Sequence, residues 1–273
     1  MEHTEVHSNL PHLNRLSLIV ATILLAISSS QIALSTTLDT EFTINNYSLL
    51  NRSGYLIVNL ILISALTAAG TDRLIKDHPN YKQGNYYHHL ILPTLTSFVI
   101  GIPLFQNPLN IIWWLGFCLG GILLILVLVA EYIVVDHEAN LYRASAAGLT
   151  ALSFALFLTL AIALRFSATG LIIIIPVLAF AAGIISLRAI RLQIHNRWAF
   201  AQSIVIALMS GQFAAGLYFW SLSPISYGLA LLGPAYCVTS LSVNFLKKEE
   251  LKKVIIEPIV VLIVILVLAG LLR

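Results

Sequence analysis

Nine stretches of the sequence are long and apolar enough to cross a membrane as helices, and this pattern constrains the fold more than any other feature. A helix needs about 20 mainly apolar residues to span a hydrocarbon core of about 30 Å. Each stretch is predicted to be helical, because unpaired backbone groups cannot face lipid. The nine stretches are residues 14–35, 53–71, 87–105, 109–134, 144–165, 168–187, 198–220, 225–245 and 255–272.

The low content of charged residues excludes a soluble protein. Only 10% of the 273 residues are charged, whereas a soluble domain carries about 25%, so lipid must cover most of the surface. We therefore predict an all-α fold, a polytopic transmembrane helix bundle of about nine spans. It is expected to form a single domain over residues 14–273, preceded by a short tail at 1–13. The formal net charge of +3 is small, so no nucleic-acid partner is expected.

The distribution of lysine and arginine predicts the orientation, since cytoplasmic loops carry an excess of these residues. With nine spans, twelve of them fall on one side of the membrane and three on the other. The larger set is Arg15, Arg73, Lys76, Lys82, Arg143, Arg188, Arg191, Arg197, Lys247, Lys248, Lys252 and Lys253, and the smaller is Arg52, Arg165 and Arg273. The N-terminus is therefore expected in the cytoplasm and the C-terminus outside, in a cell inner (cytoplasmic) membrane.

The only sizeable segment on the predicted outer side is the loop at residues 36–52. Apolar side chains alternate around Phe42, Ile44 and Tyr47, a pattern that favours a short strand or a lid on the membrane surface.

Ionisable residues are concentrated on the predicted cytoplasmic side. All eight histidines lie there, and so do all acidic residues except Asp39 and Glu41. Ionisable groups near membrane depth are costly and often functional, so the ends of the second, third and fourth spans are the first place to look for a site. The catalytic candidates are Asp72, Glu131, Asp136 and His137, and the ligand-binding candidates are Arg73, His88, His89, Arg143 and Gln212.

Two interpretations of these residues are open. Imidazole and carboxylate groups could form a metal or acid–base site, or they could satisfy helix ends and meet lipid headgroups. Metal ligands on helices are usually three or four residues apart, whereas His88 and His89 are adjacent, as are Asp136 and His137. The interfacial interpretation is favoured, and no metal or cofactor is expected.

A carboxylate near membrane depth also needs a partner. Arg73 or Arg143 could provide it for Asp72 or Glu131. That pairing would be compatible with a purely structural role.

Three amides lie inside apolar helices. Gln31, Asn59 and Gln212 most often have the role of hydrogen bonding between helices. Two segments rich in small residues, Gly116–Gly121 and Ala144–Gly148, would let helices approach closely.

Several signatures of enzymes are missing from the sequence. It contains no G-x-x-x-x-G-K-[ST] phosphate-binding loop, no H-E-x-x-H and no G-x-S-x-G. The common nucleotide-hydrolysing, metalloprotease and serine-hydrolase classes are therefore not indicated.

Three segments carry a resemblance to a known family: GTDRLIKDHP at 70–79, AEYIVVDHE at 130–138 and SGQFAAGLYFWSLSPISYGLALLGPAY at 210–236. They resemble an uncharacterised family of multi-pass membrane proteins of Chloroflexi-like bacteria, over most of the chain. The resemblance implies an acidic residue in the seventh span, where this chain has Gln212. It implies no activity.

Three functional hypotheses follow. The leading one is a non-enzymatic membrane component that binds a lipid headgroup, a small solute or a partner membrane subunit at its cytoplasmic face. The second is an enzyme acting on lipid-linked substrates, in which Asp72, Glu131, Asp136 and His137 are acid–base or metal residues and Arg73 and Arg143 hold a phosphate. The third is a small-solute transporter with Gln31, Asn59 and Gln212 along a polar path. Membrane lipids are expected partners in each case.

Overall fold

A computed structural model describes residues 11, 13–37, 52–78, 86–136, 141–167, 170–194, 198–247 and 255–272. Over these ranges the chain is all-α, as predicted, and has no strand. Its helices are α1 (Leu13–Thr37), α2 (Arg52–Lys76), α3 (His88–Gln106), α4 (Ile111–Val134), α5 (Tyr142–Phe166), α6 (Leu171–Gln193), α7 (Phe200–Tyr218), α8 (Pro224–Lys247) and α9 (Ile256–Leu271).

Eight of the described helices are long and apolar enough to cross a membrane. The ninth, α9, is apolar but has only 16 residues. The short strand or lid predicted within 36–52 falls at residues 38–51, outside the described residues, as does most of the tail at 1–13.

Two helices continue well beyond their predicted ends. The apolar stretches stop at residues 71 and 187, whereas α2 ends at Lys76 and α6 ends at Gln193. A hydropathy window ends where charged residues begin, but backbone hydrogen bonding does not depend on side-chain polarity. Asp72 and Arg73 therefore lie within α2, and Arg188 and Arg191 within α6, rather than in loops.

The chain divides into two compact units, Met1–Ser145 (unit 1) and Ala146–Arg273 (unit 2). Unit 1 contains α1 to α4, together with the first residues of α5. Unit 2 contains the rest of α5 and α6 to α9. The single domain expected from the sequence stays a prediction.

In unit 1, α3 and α4 form a tight helical hairpin whose turn is fixed by side chains. The Asn110 side chain caps α4 by accepting a hydrogen bond from the backbone N–H of Trp113 (2.9 Å). The buried indole N–H of Trp113 donates to the carbonyl of Leu104 (3.0 Å). Near the middle of the hairpin, a Cβ added to Gly120 would lie 2.5 Å from Cγ2 of Ile100. These contacts set the register that brings the start of α3 beside the end of α4.

Helix α3 contains two prolines, Pro93 and Pro103. Pro93 has no N–H, so it cannot donate the helical hydrogen bond to the carbonyl of His89, four residues earlier. The first turn is instead closed by shorter steps, from the N–H of His89 to the carbonyl of Tyr86 (2.9 Å) and from Leu90 to Tyr87 (3.1 Å).

In unit 2, α6, α7 and α8 pack around a small apolar cluster at one end. Its buried members are Ile190, Ala199, Ile206 and Val243. At the other end of α8, Gly228 allows α5 to approach closely, since a Cβ there would lie 2.8 Å from Cγ1 of Ile162.

Candidate functional site

A buried histidine–glutamate pair is the centre of the candidate site in unit 1. His89 is on the first turn of α3 and Glu131 on the last turn of α4, and Nδ1 of His89 lies 2.8 Å from Oε2 of Glu131. The two side chains are 6% and 0% exposed. A carboxylate in so dry a position is stable only when it is hydrogen-bonded or paired. His89 supplies the hydrogen bond when its Nδ1 carries a proton, and an ion pair only when both ring nitrogens do.

Further ionisable and aromatic side chains surround this pair. The rings of His88 and His89 are 4.0 Å apart, and the ring of His78 meets Tyr132 edge-on at 4.5 Å. We call the residues of this group the histidine cluster: His78, His88, His89, Glu131, Tyr132 and Asp136.

Burial lowers the pKa of His78. A charge on His89 lowers it further, and the carboxylate of Asp136 opposes both effects by raising it. His78 is therefore more easily kept neutral than an exposed histidine.

Two ion pairs lie at the edge of the cluster. Arg15 at the start of α1 pairs with Asp77, and Lys76 pairs with Asp72 one turn away on α2 (2.7 Å). Lys76 also lies over the ring of Tyr86, 5.5 Å from its centroid. All four charged side chains are partly exposed, so these pairs contribute little to stability.

The structure brings some of the predicted site residues together and separates others. His88, His89, Glu131 and Asp136 belong to the histidine cluster, and Asp72 is at its edge. Arg73 and Arg143 are exposed, Gln212 is exposed on α7 of unit 2, and His137 lies outside the described residues.

Two of the candidate carboxylates have ionisable partners, since Glu131 pairs with His89 and Asp72 with Lys76. Pairing of either carboxylate with Arg73 or Arg143 stays a prediction, and both arginines are exposed. Within the described ranges, no group of three or more histidine, cysteine or acidic residues is arranged to hold a metal ion.

The amides of unit 1 form hydrogen bonds between helix segments, the role that is commonest in membranes. Gln31 on α1 donates from Nε2 to the carbonyl of Asn107 in the α3–α4 turn (3.0 Å). The hydroxyl of Ser30 donates to Oδ1 of Asn59 on α2 (3.3 Å). These contacts connect α1 to its neighbours.

A row of small hydroxyl side chains leads along α2 and α3 toward the histidine cluster. Leu60 lies beside Gly101, and Lys76 beside Tyr86, so the two helices are antiparallel in a register that places Ser64 at the depth of Ser97. The buried members are Ser64, Thr67 and Thr71 on α2 and Thr96 and Ser97 on α3. The threonine hydroxyls donate to carbonyls four residues earlier, so the threonines can be buried without a large energetic cost. The buried hydroxyl of Ser64 has no hydrogen-bond partner among the described residues.

A second polar site, in unit 2, was not predicted. Arg188 and Arg191 are buried, with 1% and 8% of their surface exposed, and the guanidinium of Arg191 lies 4.0 Å from the ring centroid of Trp198. In the sequence they follow the apolar stretch and resemble ordinary loop charges. The available signal was their spacing of three residues, which places both on one helix face.

A comparison with family models decides the family of the chain. The family described as "Protein of unknown function (DUF5656)" matches residues 39–272. The chain belongs to this family. The match covers all of α2 to α9, and so both sites described above. Neither a curated protein nor a solved structure matches the chain.

In this member of the DUF5656 family, the histidine cluster offers imidazole and carboxylate groups for hydrogen bonding. His89 and Glu131 are within hydrogen-bond distance of each other, and the carboxylate of Asp136 is close enough to His78 to raise its pKa against the effect of burial.

Proposed function

We propose that the protein is a non-enzymatic component of the cytoplasmic membrane of a Chloroflexi-like bacterium. In this proposal the histidine cluster binds a lipid headgroup, and protonation of the cluster controls the binding. The observation that carries the proposal is the fully buried Glu131 bonded to His89 from a neighbouring helix. A buried ionisable pair in a membrane bundle is costly, which favours a role beyond packing.

The proposed topology has nine spans, with the N-terminus and the histidine cluster on the cytoplasmic side. The excess of lysine and arginine on that side supports it. So does the apolar character of α9, which at 1.5 Å per residue is about 24 Å long.

Labelling with a membrane-impermeant thiol reagent tests this topology. Cys118 and Cys237 would first be replaced by serine. A single cysteine at Ser8 is then expected to react only after the membrane is opened, and one at Arg273 to react in intact spheroplasts. If neither cysteine reacts in intact spheroplasts, both ends are cytoplasmic and α9 does not span; reaction of the cysteine at position 8 in intact spheroplasts would contradict the orientation.

The reason to expect proton control lies in the charges that face the pair. The rings of His88 and His89 are tilted against each other with centroids 4.0 Å apart, and a charge on His89 would lower the pKa of His78. Each added proton makes the cluster more positive and so favours a phosphate-bearing headgroup. Each proton lost leaves the carboxylates of Glu131 and Asp136 to dominate, which disfavours it.

Native mass spectrometry tests this function. The protein would be released from nanodiscs that contain equal amounts of phosphatidylethanolamine, phosphatidylglycerol and phosphatidylcholine, at pH 5.5 and pH 8. We expect the wild type to retain more lipid at pH 5.5, and His89→Gln and Glu131→Gln to lose this pH dependence. Lys76→Gln, which breaks an exposed pair at the same end, is the matched control. Equal retention by all four proteins at both pH values would contradict the proposal.

The histidine–carboxylate pair also favours a second candidate, an enzyme that acts on lipid-linked substrates. A carboxylate that holds the imidazole in one orientation is the arrangement used to prepare a general base. This candidate requires turnover of a lipid-linked phosphate by the purified chain, lost in both His89→Gln and Glu131→Gln. Turnover would replace the non-enzymatic proposal by the enzyme. No turnover, together with pH-dependent lipid retention, would support the non-enzymatic proposal.

A further inference from the structure

Two buried polar atoms of unit 1 have no hydrogen-bond partner among the residues that the structure describes. They are Oγ of Ser64 on α2 and Oε1 of Gln31 on α1. The exposed fractions of these two residues are 7% and 5%. Leaving a buried oxygen without a hydrogen bond is costly, and such oxygens in proteins are commonly satisfied by buried water.

Both oxygens belong to a line of polar groups, which begins with amides at one end of unit 1. Gln31 lies at the depth of Asn59, because the hydroxyl of its neighbour Ser30 donates to Oδ1 of Asn59 (3.3 Å). Ser64 lies about 7.5 Å further along α2, and the buried Leu60 is between them. Two water molecules are enough to bridge this step, since a hydrogen bond between two oxygens is about 2.8 Å long.

From Ser64 the line continues to the histidine cluster. Thr67 and Thr71 follow on the same face of α2 in steps of about 4.5 and 6 Å, and both are fully buried. In the antiparallel register of α2 and α3, Ser97 is level with Ser64, and Thr71 is level with the first turn of α3, which carries His89. The hydroxyls of Thr67, Thr71 and Ser97 donate to helix carbonyls, so each oxygen keeps a lone pair that can accept from water.

The threonines alone would not indicate a path through the unit, because hydroxyls in membrane helices often bond only to their own backbone. Ser64 and Gln31 change this interpretation. Each has a buried oxygen with no protein partner in the described ranges, and the line that they share ends on a buried ionisable pair, His89 and Glu131. Lines of polar groups that end on buried acids and histidines are typical of proton relays in membranes.

We propose that these groups hold a chain of water molecules that conducts protons between the Gln31 end of unit 1 and the His89–Glu131 pair. Each water accepts one proton and donates another, so no charge remains in the apolar region. The imidazole or the carboxylate of the pair takes the arriving proton, and Asp136, half-buried at the same end, passes it to the solvent. This activity goes beyond lipid binding and does not depend on it.

Proton flux through the purified full chain tests the path. The protein is reconstituted in phosphatidylcholine liposomes that contain the pH indicator pyranine, and valinomycin with a potassium gradient makes the interior negative. We expect liposomes with the wild type to acidify faster than protein-free liposomes. Ser64→Val removes the hydroxyl and fills the space beside it, so it should reduce the protein-dependent rate about fivefold or more.

Three further variants control for shape, location and folding. Ser64→Thr has nearly the shape of Ser64→Val but keeps a hydroxyl, so it should keep about half of the wild-type rate or more. Ser29→Val changes an exposed serine on α1 and should leave the rate unchanged. Thr67→Val alters the buried line with little change of shape, so it should lower the rate even if Ser64→Val does not fold by circular dichroism.

Three results would overturn the proposal. The first is acidification by wild-type liposomes no faster than by protein-free liposomes. The second is equal rates in Ser64→Thr and Ser64→Val when both are folded, and the third is a loss in Ser29→Val as large as in Ser64→Val. Because the liposomes contain only phosphatidylcholine, these results are independent of the lipid retention measured for the histidine cluster, and the two proposals can fail separately.

Discussion

The two units of the molecule differ in the kinds of ionisable groups that they bury. Residues 1–145 hold seven of the eight histidines and nine of the twelve carboxylates, whereas residues 146–273 hold nine of the fifteen lysines and arginines. Unit 1 buries an imidazole and a carboxylate together, His89 with Glu131. Unit 2 buries Arg188 and Arg191, two groups of the same sign. The buried ionisable groups of unit 1 thus come from two helices and can bond to each other, whereas those of unit 2 lie three residues apart on one helix.

The strongest test of this contrast is to break the pair in unit 1. His89→Leu leaves Glu131 buried without its partner and should lower the free energy of unfolding by about 3–5 kcal/mol. The double variant His89→Leu, Glu131→Leu should recover most of the loss, because apolar side chains of similar volume replace both charges. The measurement is unfolding by sodium dodecyl sulfate followed by circular dichroism. A double variant less stable than His89→Leu alone would show that the two residues do not act as a pair.

A test of packing asks whether the contrast extends beyond charge. Gly120→Val in unit 1 and Gly228→Val in unit 2 each place atoms against a neighbouring isoleucine, so each should cost about 1–3 kcal/mol. Gly148→Ala, which meets nothing within 4 Å, should be neutral or slightly stabilising. Similar losses of stability in Gly120→Val and Gly228→Val would show that the two units differ only in buried charge. A loss in one variant alone would show that they also differ in packing.

Arg165, an arginine with contacts in unit 2, allows a comparison with the buried Arg188 and Arg191. Arg165 donates to the carbonyl of Trp220 and stacks on Tyr218 and Tyr227. Arg165→Gln should therefore lower the free energy of unfolding by about 1 kcal/mol, measured by unfolding in sodium dodecyl sulfate. An unchanged free energy of unfolding would show that these contacts do not stabilise unit 2.

The smallest expected effect is a pH dependence that belongs to unit 1. Because burial lowers the pKa of His78 in the folded state, the folded protein favours the neutral ring. The contribution of the neutral His78 ring to the free energy of unfolding is complete above the pKa of about 6.5 that the ring has in the unfolded chain. It is lost as the pH falls through the lower pKa of the folded state. The melting temperature of the wild type should therefore fall between pH 7.5 and pH 5, and less so in His78→Asn. An unchanged pH profile in His78→Asn would assign the dependence to other groups.

The helices could be predicted from the sequence because lipid imposes a length and an apolar composition on each span. The predicted ends were less accurate at α2 and α6, since hydropathy reports the membrane core and not the helix itself. At α6 the error hid Arg188 and Arg191, which were counted only as loop charges.

The candidate residues of unit 1 could be predicted from the cost of burying charge, but their pairing was not. His89 and Glu131 are 42 residues apart, and no local rule joins them. The register of the α3–α4 hairpin, had it been known, would have predicted the pair. Gly116 lies beside Leu104 and Gly120 beside Ile100, and continuing outward in equal steps reaches Glu131 beside His89.

Pro93 makes the bond between His89 and Glu131 important for the position of the first turn of α3. The proline withholds the helical donor from the carbonyl of His89, so the first turn of α3 is more weakly joined to the rest of its own helix. The side chain of Glu131 on α4 then helps to hold that turn in place. The position of this helix end therefore depends on a side-chain bond to a second helix as well as on the backbone hydrogen bonds of α3.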